Sequence, residues 1–204
     1  MSTRRGSAPN RCPRCRVNHT LCFCDAFDPF RISGKVSLVV HVRELKLTTN
    51  TAQFVREMLP EDSYFDVRGH VEGPLDMGAV VARPGTPLFL YPHEGATTLT
   101  ADFAKSLTAP YHLIVPDGSW QQARKVYDRE PALQNVQCVS LPEGLVGEYR
   151  LRQARFPHWV STYEAVAHAL GVLEGEETKE RLMALFRVFV QRVWKSRHDF
   201  HGKS

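Results

Sequence analysis

The chain has 204 residues, of which 43% are hydrophobic and 24% are charged, and its formal net charge is +4. This is the composition of an ordinary globular domain that is long enough for a hydrophobic core, and the mild positive charge permits a nucleic-acid partner without requiring one. No apolar run approaches the roughly 20 residues of a membrane span, and the basic N-terminus lacks the apolar segment of a signal peptide. We therefore expect a cytosolic protein.

Four of the five cysteines fall in the segment 12–30, after a predicted disordered basic tail at 1–11. They form two close pairs separated by six residues: Cys12 and Cys15, then Cys22 and Cys24. Two such thiol pairs can supply a closed tetrahedral zinc site, and metal binding then gives folding energy to a segment without its own core. His19 could replace one thiol, and disulfides are disfavoured in the cytosol. We expect a structural zinc knuckle over 12–30, flanked by arginines that could contact nucleic acid: Arg11, Arg14 and Arg16.

Strands and helices are predicted to alternate along residues 31–204. Apolar and β-branched runs predict strands at 36–42, 64–67, 87–91, 112–115 and 136–141. Helical patterns occupy 50–59, 97–107, 119–129, 161–172 and 177–196. Cys138 stands alone in a strand pattern and is expected in the core. This alternation predicts an α/β fold with a mostly parallel sheet.

The segment VPDGSWQQARKVY (115–127) lies where a predicted strand ends, and ligands of open α/β sheets bind beyond the carboxyl ends of strands. Gly118 is expected to make the turn, Ser119 or Asp117 to cap the next helix, and Trp120 to be buried. A purely structural turn of this kind is one interpretation. The other is that Asp117 is held at a strand tip for chemistry.

Polar segments follow the other predicted strands as well. Ser161 with Glu164 three residues later is a capping box, which predicts a helix start. Histidines near strand ends are more often loop or core residues than ligands. No glycine-rich dinucleotide or Walker loop is present, so a conventional nucleotide site is not indicated.

Six segments resemble those of the DTW-domain family, and they occur in the same order. They are the cysteine pairs, HVRE followed by TNTA (49–52), LYP (90–92), DGSWQQARK (117–125), YRLR (149–152) and STYEA (161–165). The chain resembles the tRNA-uridine aminocarboxypropyltransferases of that family from about Cys12 to beyond Glu164. There are two departures: Ser119 stands where threonine is usual, and Val42 where proline is frequent.

The resemblance implies an α/β fold with a SPOUT-like knotted sheet flanked by helices, a catalytic domain at 31–204 and S-adenosylmethionine as the second substrate. It also implies transfer of the 3-amino-3-carboxypropyl arm to N3 of a uridine in tRNA, with release of methylthioadenosine. Two other functions stay open at this point. One is a SPOUT-type RNA methyltransferase, and the other is a zinc-containing RNA-binding module without catalysis.

Within that resemblance, the catalytic segment comprises Asp117, Ser119 and Trp120. A free aspartate has a pKa of about 3.9, so Asp117 could act as a base if burial beside Trp120 raised its pKa, or it could only orient the uridine. The implied cofactor-binding residues are Leu90, Tyr91, Pro92, Val115, Pro116, Gly118, Leu141, Tyr149, Ser161, Thr162 and Glu164. The implied RNA-binding residues are Arg124, Lys125, Arg150, Arg152, His41, Arg43 and Asn50.

Overall fold

The computed structural model describes residues 10–47, 50–70, 72–149 and 160–198. At its centre is a six-stranded sheet in the order β2-β1-β5-β3-β6-β4, and every neighbouring pair is parallel. The strands are β1 (Lys35–His41), β2 (Ser63–Arg68), β3 (Thr86–Leu90), β4 (Thr97–Thr98), β5 (Tyr111–Asp117) and β6 (Gln137–Ser140). The helices are α1 (Ala52–Met58), α2 (Met77–Val81), α3 (Ala101–Ser106), α4 (Trp120–Arg129), α5 (Thr162–Leu173) and α6 (Glu176–His198). The predicted α/β class and parallel sheet are confirmed.

Each face of the sheet carries its own apolar cluster, because side chains alternate between the faces along a strand. On β5, Leu113 and Val115 belong to the cluster that includes α1, α5 and α6. Ile114 belongs to the opposite cluster, which includes residues of α2 and α4. Helices therefore cover both faces, as an all-parallel sheet requires.

The cysteine knuckle packs into the larger of these clusters and not beside it. Phe23 is fully buried, with its ring centroid 5.5 Å from that of Phe54 on α1 and 5.8 Å from that of Phe189 on α6. Arg14 forms an ion pair with Glu57 at the exposed side of α1. Residues 1–9 of the predicted tail lie outside the described residues. The knuckle is thus fixed to α1 and α6.

Two of the predicted elements differ from the structure. The helix expected at 97–107 begins only at Ala101, where the Thr100 hydroxyl accepts the Phe103 N–H at 3.1 Å, and the preceding threonines form β4. The strand expected at 112–115 continues through Pro116 to Asp117. Its ladder with β3 ends at Ile114, so Pro116 has β1 alone as a neighbour and its missing N–H is tolerated.

The predicted backbone knot stays a prediction, because the passage from β6 to α5 includes residues 150–159, which lie outside the described residues. The helix predicted at 177–196 is confirmed as α6, and its residues Leu182, Phe186 and Phe189 are fully buried. None of the described helices has the combination of length and apolar character that crossing a membrane would need.

Candidate active site

Asp117 is the last residue of the central strand β5, and the residue is 7% exposed. It lies two residues beyond Val115, so both side chains point to the same face of the sheet, the one that α1 and α5 cover. The strand register places it opposite Val40 of β1. The alternation of the strand thus directs this acidic side chain toward the N-terminal ends of two helices.

Both carboxylate oxygens of Asp117 accept hydrogen bonds from side chains that are far away in the sequence. Asn50 Nδ2 donates to Oδ2 at 2.5 Å, and Thr162 Oγ1 donates to Oδ1 at 2.5 Å. Asn50 is itself fixed: it is 3% exposed, its N–H donates to the Leu47 carbonyl at 3.2 Å, and its Oδ1 accepts the Gln53 N–H at 3.3 Å. Hydrogen bonds to a carboxylate are short and directional, so these two fix its orientation.

The turn after Asp117 is built as the sequence predicts, with one exception. Ser119 caps α4, and together with Gln122 it forms a capping box. A Cβ at Gly118 would lie 2.7 Å from Gln122 Oε1, so a larger residue there would displace the side chain that completes the cap. The predicted burial of Trp120 is wrong. Its side chain is 41% exposed and its ring centroid lies 6.4 Å from that of Tyr91, because the helix cap turns the first residue of α4 outward.

A cleft of about 1000 Å³ opens at the carboxyl ends of β5, β3 and β6, with Asp117 in its wall. This volume is at the upper end of the range for small-molecule sites, about 300–1,000 Å³. The structure brings together here the three residues predicted as catalytic and all but one of those predicted to bind the cofactor. These lining residues are Asp117, Ser119, Trp120, Leu90, Tyr91, Pro92, Val115, Pro116, Gly118, Leu141, Tyr149, Ser161 and Thr162.

Glu164 is the predicted cofactor residue that does not line the cleft. It is fully buried, its Oε2 accepts the Ser161 N–H at 2.7 Å, and its Oε1 accepts the Glu148 N–H at 2.5 Å. The capping box predicted from the sequence is therefore confirmed. The Glu164 carboxylate thus caps the N-terminus of α5 and fixes the backbone at Glu148, next to Tyr149.

The charged residues among the described lining of the cleft are all acidic: Glu44, Asp117 and Glu143. A cation in the cleft would therefore be attracted to its wall. Tyr149 lines the inner side, 7% exposed, with its ring stacked at 6.0 Å on Phe189 of α6. The cleft thus combines an acidic wall with aromatic and apolar surfaces.

Basic residues predicted to bind RNA lie outside the cleft, beside the ends of β1 and β2. Burial lowers the pKa of His41, and the positive charges of Arg68, Arg43 and Lys125 lower it further, which shows that three cationic side chains lie near this imidazole. Of the other predicted RNA-binding residues, Asn50 lines the cleft and Arg124 pairs with Asp128 at 3.2 Å. Arg150 and Arg152 lie outside the described residues.

Several lining residues were not predicted. Four of them form the segment PEGL (142–145) in the loop after β6, which has no periodic pattern to indicate a cleft wall. The remainder come from segments distant in the chain, which local sequence reasoning does not bring together. They are Thr51, Ala123, Pro142, Glu143, Gly144, Leu145, Val160 and Ala165.

The four clustered cysteines come together as the spacing predicts. Their Sγ atoms all lie within 4.8 Å of one another, with Cys12 and Cys24 at 3.5 Å and Cys15 and Cys22 at 3.6 Å. Four sulfurs around a zinc ion at about 2.3 Å would be about 3.8 Å apart, so this arrangement fits a tetrahedral zinc site. His19 does not belong to this group among the described residues.

Cys138 is a core residue as predicted, and burial raises the pKa of its thiol to about 11.

The DTW domain family matches residues 9–194 of this chain. That range covers the knuckle, the sheet and nearly all of α6, so the chain belongs to the DTW domain family.

Similarity to individual proteins extends over most of the chain. The chain is 28% identical over 171 residues to tRNA-uridine aminocarboxypropyltransferase 2 of Drosophila melanogaster, and the match covers 81% of this chain and 67% of that protein. It is 27% identical over 168 residues to the protein of the same name from Macaca fascicularis, covering 80% of this chain but about half, 56%, of that protein.

The fold is similar to that of the SAM-dependent rRNA:acp-transferase Tsr3 from Vulcanisaeta distributa. The TM-score is 0.55 at 19% sequence identity, covering 82% of this chain and 81% of that chain. This similarity concerns the fold.

Proposed function

We propose that this protein transfers the 3-amino-3-carboxypropyl group of S-adenosylmethionine to N3 of a uridine in tRNA and releases methylthioadenosine. The observation that carries the proposal is the Asp117 carboxylate, held by Asn50 and Thr162 in the wall of a cleft large enough for a cofactor and a nucleobase. The membership of this chain in the DTW domain family and its similarity to named tRNA-uridine aminocarboxypropyltransferases support the same reaction.

S-adenosylmethionine would occupy the cleft between the ends of β3, β5 and β6. Its sulfonium and ammonium groups are cations, which the acidic wall of Glu44, Asp117 and Glu143 favours. The apolar ends of the strands, Leu90, Val115 and Leu141, would enclose the adenosine. A helix-capping hydroxyl at Ser161 and the ring of Tyr149 would border the amino-acid arm.

In the transfer step, uridine N3 attacks the γ-carbon of the arm, the bond from that carbon to sulfur breaks, and the sulfur keeps the electron pair. The N3 proton must leave as the new bond forms. Asp117 lies in the wall of the cleft, and a carboxylate is a hydrogen-bond acceptor, so it can accept the N3–H of a uridine bound there. Asp117 then orients the base and takes its proton as the N–C bond forms, while Asn50 and Thr162 hold the carboxylate in place.

The tRNA would lie across the cluster of basic side chains beside the cleft. His41, Arg43, Arg68 and Lys125 surround the ends of β1 and β2, next to the strand that carries Asp117. Arginine and lysine side chains neutralise phosphates, which gives sequence-independent affinity for the backbone. The target uridine would then enter the cleft from this side.

The knuckle would hold one structural zinc ion through Cys12, Cys15, Cys22 and Cys24. Burial acts to raise the pKa of Cys12, but hydrogen bonds from the backbone N–H groups of Cys15 and Arg14 outweigh it and bring that pKa down to about 6. A thiolate is the form that binds metal, and the four Sγ atoms lie close enough together for one ion to contact all of them. Four protein ligands close the site, which gives the metal a role in folding.

The proposal is tested by incubating the purified protein with unmodified tRNA and S-adenosylmethionine, digesting the tRNA and identifying nucleosides by mass spectrometry. We expect aminocarboxypropyluridine and methylthioadenosine in equal amounts. Methyluridine with S-adenosylhomocysteine would contradict the proposal. A thermal-shift measurement with S-adenosylmethionine alone checks cofactor binding separately.

A further inference from the structure

The cysteine knuckle contacts the loop that leads from β1 to Asn50. Arg16, between the two cysteine pairs, donates from Nη1 to the Leu45 carbonyl at 2.8 Å and to the Leu47 carbonyl at 3.4 Å. Leu45 belongs to a 3₁₀ turn (Glu44–Lys46) whose first residue lines the cleft. A side chain of the knuckle therefore holds backbone atoms at the edge of the candidate active site.

The backbone of Arg16 adopts a conformation that is rare outside glycine, with φ at 61°. Its N–H donates to the Cys12 carbonyl at 2.8 Å, and its own carbonyl accepts from Arg11 Nη1 at 3.0 Å. Such a residue costs free energy and persists only where its surroundings fix it. The knuckle thus fixes the Arg16 backbone, and from there the side chain reaches the carbonyls of Leu45 and Leu47.

The contact continues from the loop to the Asp117 carboxylate. The Leu47 carbonyl that accepts from Arg16 also accepts the N–H of Asn50 at 3.2 Å. Asn50 in turn donates from Nδ2 to Asp117 Oδ2 at 2.5 Å. Three consecutive hydrogen bonds therefore join a knuckle arginine to the proposed catalytic carboxylate.

We propose that Arg16 is a positioning residue for the transfer reaction. It fixes the carbonyls of Leu45 and Leu47, these fix Asn50, and Asn50 orients Asp117. The cysteine knuckle is then part of the support of the active site. This inference rests on the function proposed above, because it concerns the same carboxylate.

The other role open to a knuckle arginine is contact with RNA phosphates. The guanidinium of Arg16 is directed at two backbone carbonyls within the protein and its side chain is only partly exposed, which favours positioning. The two roles differ in the kinetic constant they affect. A phosphate contact acts on KM for tRNA, whereas a misplaced Asp117 acts on kcat.

The test uses Arg16→Gly, because glycine adopts the left-handed conformation without strain and the substitution removes the side chain while keeping the turn. We expect kcat to fall by about tenfold or more, with KM for tRNA changed less than about twofold. The matched control is Thr20→Ala in the same knuckle, whose hydroxyl donates to Asn18 and not to the loop. It should keep the wild-type kcat.

A double-mutant cycle with Asn50→Ala separates positioning from a general loss of stability. If Arg16 acts through Asn50, Arg16→Gly should have little further effect on kcat in the Asn50→Ala background. Multiplicative effects of the two substitutions on kcat, an unchanged kcat in Arg16→Gly, or a change in KM alone would overturn the proposal. Arg16→Lys, which retains a donor, should recover part of the lost kcat.

Amide hydrogen exchange of the free protein by NMR gives a readout that does not depend on activity. The amides of Leu47 and Asn50 should exchange about tenfold faster in Arg16→Gly and at the wild-type rate in Thr20→Ala. Unchanged exchange would overturn the positioning role. A different outcome is that the wild-type protein transfers nothing while amide exchange is still altered in Arg16→Gly. That result would overturn the proposed function but keep the structural link between the knuckle and the loop.

Discussion

Thr162, the first residue of α5, donates its hydroxyl hydrogen to Oδ1 of Asp117 at the end of β5, 2.5 Å away and 45 positions distant in the sequence. The oxygen on the other side of the same carboxylate accepts from Asn50. The acid is therefore clamped between residues at the N-terminal ends of two helices on one face of the sheet. These two hydrogen bonds fix the orientation of the carboxylate in the wall of the cleft.

Replacing Asp117 with asparagine should remove catalysis and retain cofactor binding. The amide keeps the size of the side chain, but it presents one acceptor where the carboxylate presents two and cannot take the uridine proton. We expect kcat to fall by about 10²–10⁴-fold, the range for loss of a proton-transfer group. Steady-state kinetics on tRNA measures this, and calorimetric titration with S-adenosylmethionine should give a Kd within a few-fold of wild type. Wild-type kcat in this variant would remove Asp117 from the mechanism.

Thr162→Val should lower kcat because it removes the hydroxyl that orients Asp117 while keeping the branched shape of the side chain. Loss of one hydrogen bond to a charged group is worth about 1.5–3 kcal/mol, so a decrease of about 10–100-fold is expected. Thr162→Ser is the matched control, since it retains the donor and should keep most of the activity. Equal kcat values for the valine and serine variants would contradict the orienting role.

Charge removal at Arg43 and Lys125 should weaken tRNA binding without changing the chemical step. For each alanine substitution, we expect a higher KM for tRNA, an unchanged kcat, and a salt-dependence slope of log KM reduced by about 1. Lys105→Ala serves as the control, because Lys105 is an exposed residue of α3, which follows the edge strand at the opposite side of the sheet from β2. A KM that rises equally in the control would show that the basic group beside β1 has no special role.

Metal analysis of the purified protein should find about one zinc ion per chain. Cys15→Ser should abolish it and lower Tm by about 10 °C, because the ligand set lies within the hydrophobic core and metal binding contributes folding energy. Cys138→Ser, at the cysteine outside the cluster, should retain the zinc. Full zinc content in Cys15→Ser would contradict the four-cysteine site.

The stability of the fold should decrease as the pH falls from about 6.5 toward 4, in part because of His112. This residue is fully buried, its Nε2 lies 2.7 Å from Ser37 Oγ, and burial, followed by the charge of Arg83, lowers its pKa to about 4. Between pH 6.5 and 4 the unfolded state therefore binds more protons than the folded state. As a result, the free energy of unfolding is up to about 3 kcal/mol lower at pH 4 than above pH 6.5.

Urea unfolding at several pH values above 4.5 measures that dependence. His41 and His168, whose pKa values are lowered mainly by burial, act in the same direction, so the variant His112→Gln isolates the contribution of His112. Its unfolding free energy should vary less steeply with pH than that of the wild type. An identical pH dependence in the two proteins would rule out His112 as the titrating group.

Local features of the site were predictable from the sequence because they depend on neighbouring residues. The cap at Ser119, the capping box at Ser161 and the position of Asp117 near a strand end follow from residue types within a few positions. The four-cysteine cluster also follows from spacing, since its ligands come from one short segment.

The partners of Asp117 were not predictable, because they depend on where distant segments meet. Asn50 was expected to bind RNA and Thr162 to bind the cofactor, yet both donate to this carboxylate. The exposure of Trp120 depends on how the capped turn directs α4 relative to the sheet, and the burial of Glu164 on a contact with Glu148. These are tertiary properties without a local signal in the sequence.

The central claim, that the arm of S-adenosylmethionine and not its methyl group is transferred, is tested most directly by isotopic labelling. Purified protein and unmodified tRNA are incubated with S-adenosylmethionine labelled either in the methyl or in the carboxyl carbon. We expect the carboxyl label in the tRNA and the methyl label in released methylthioadenosine. Methyl label in the tRNA without carboxyl label would show that the protein is a methyltransferase.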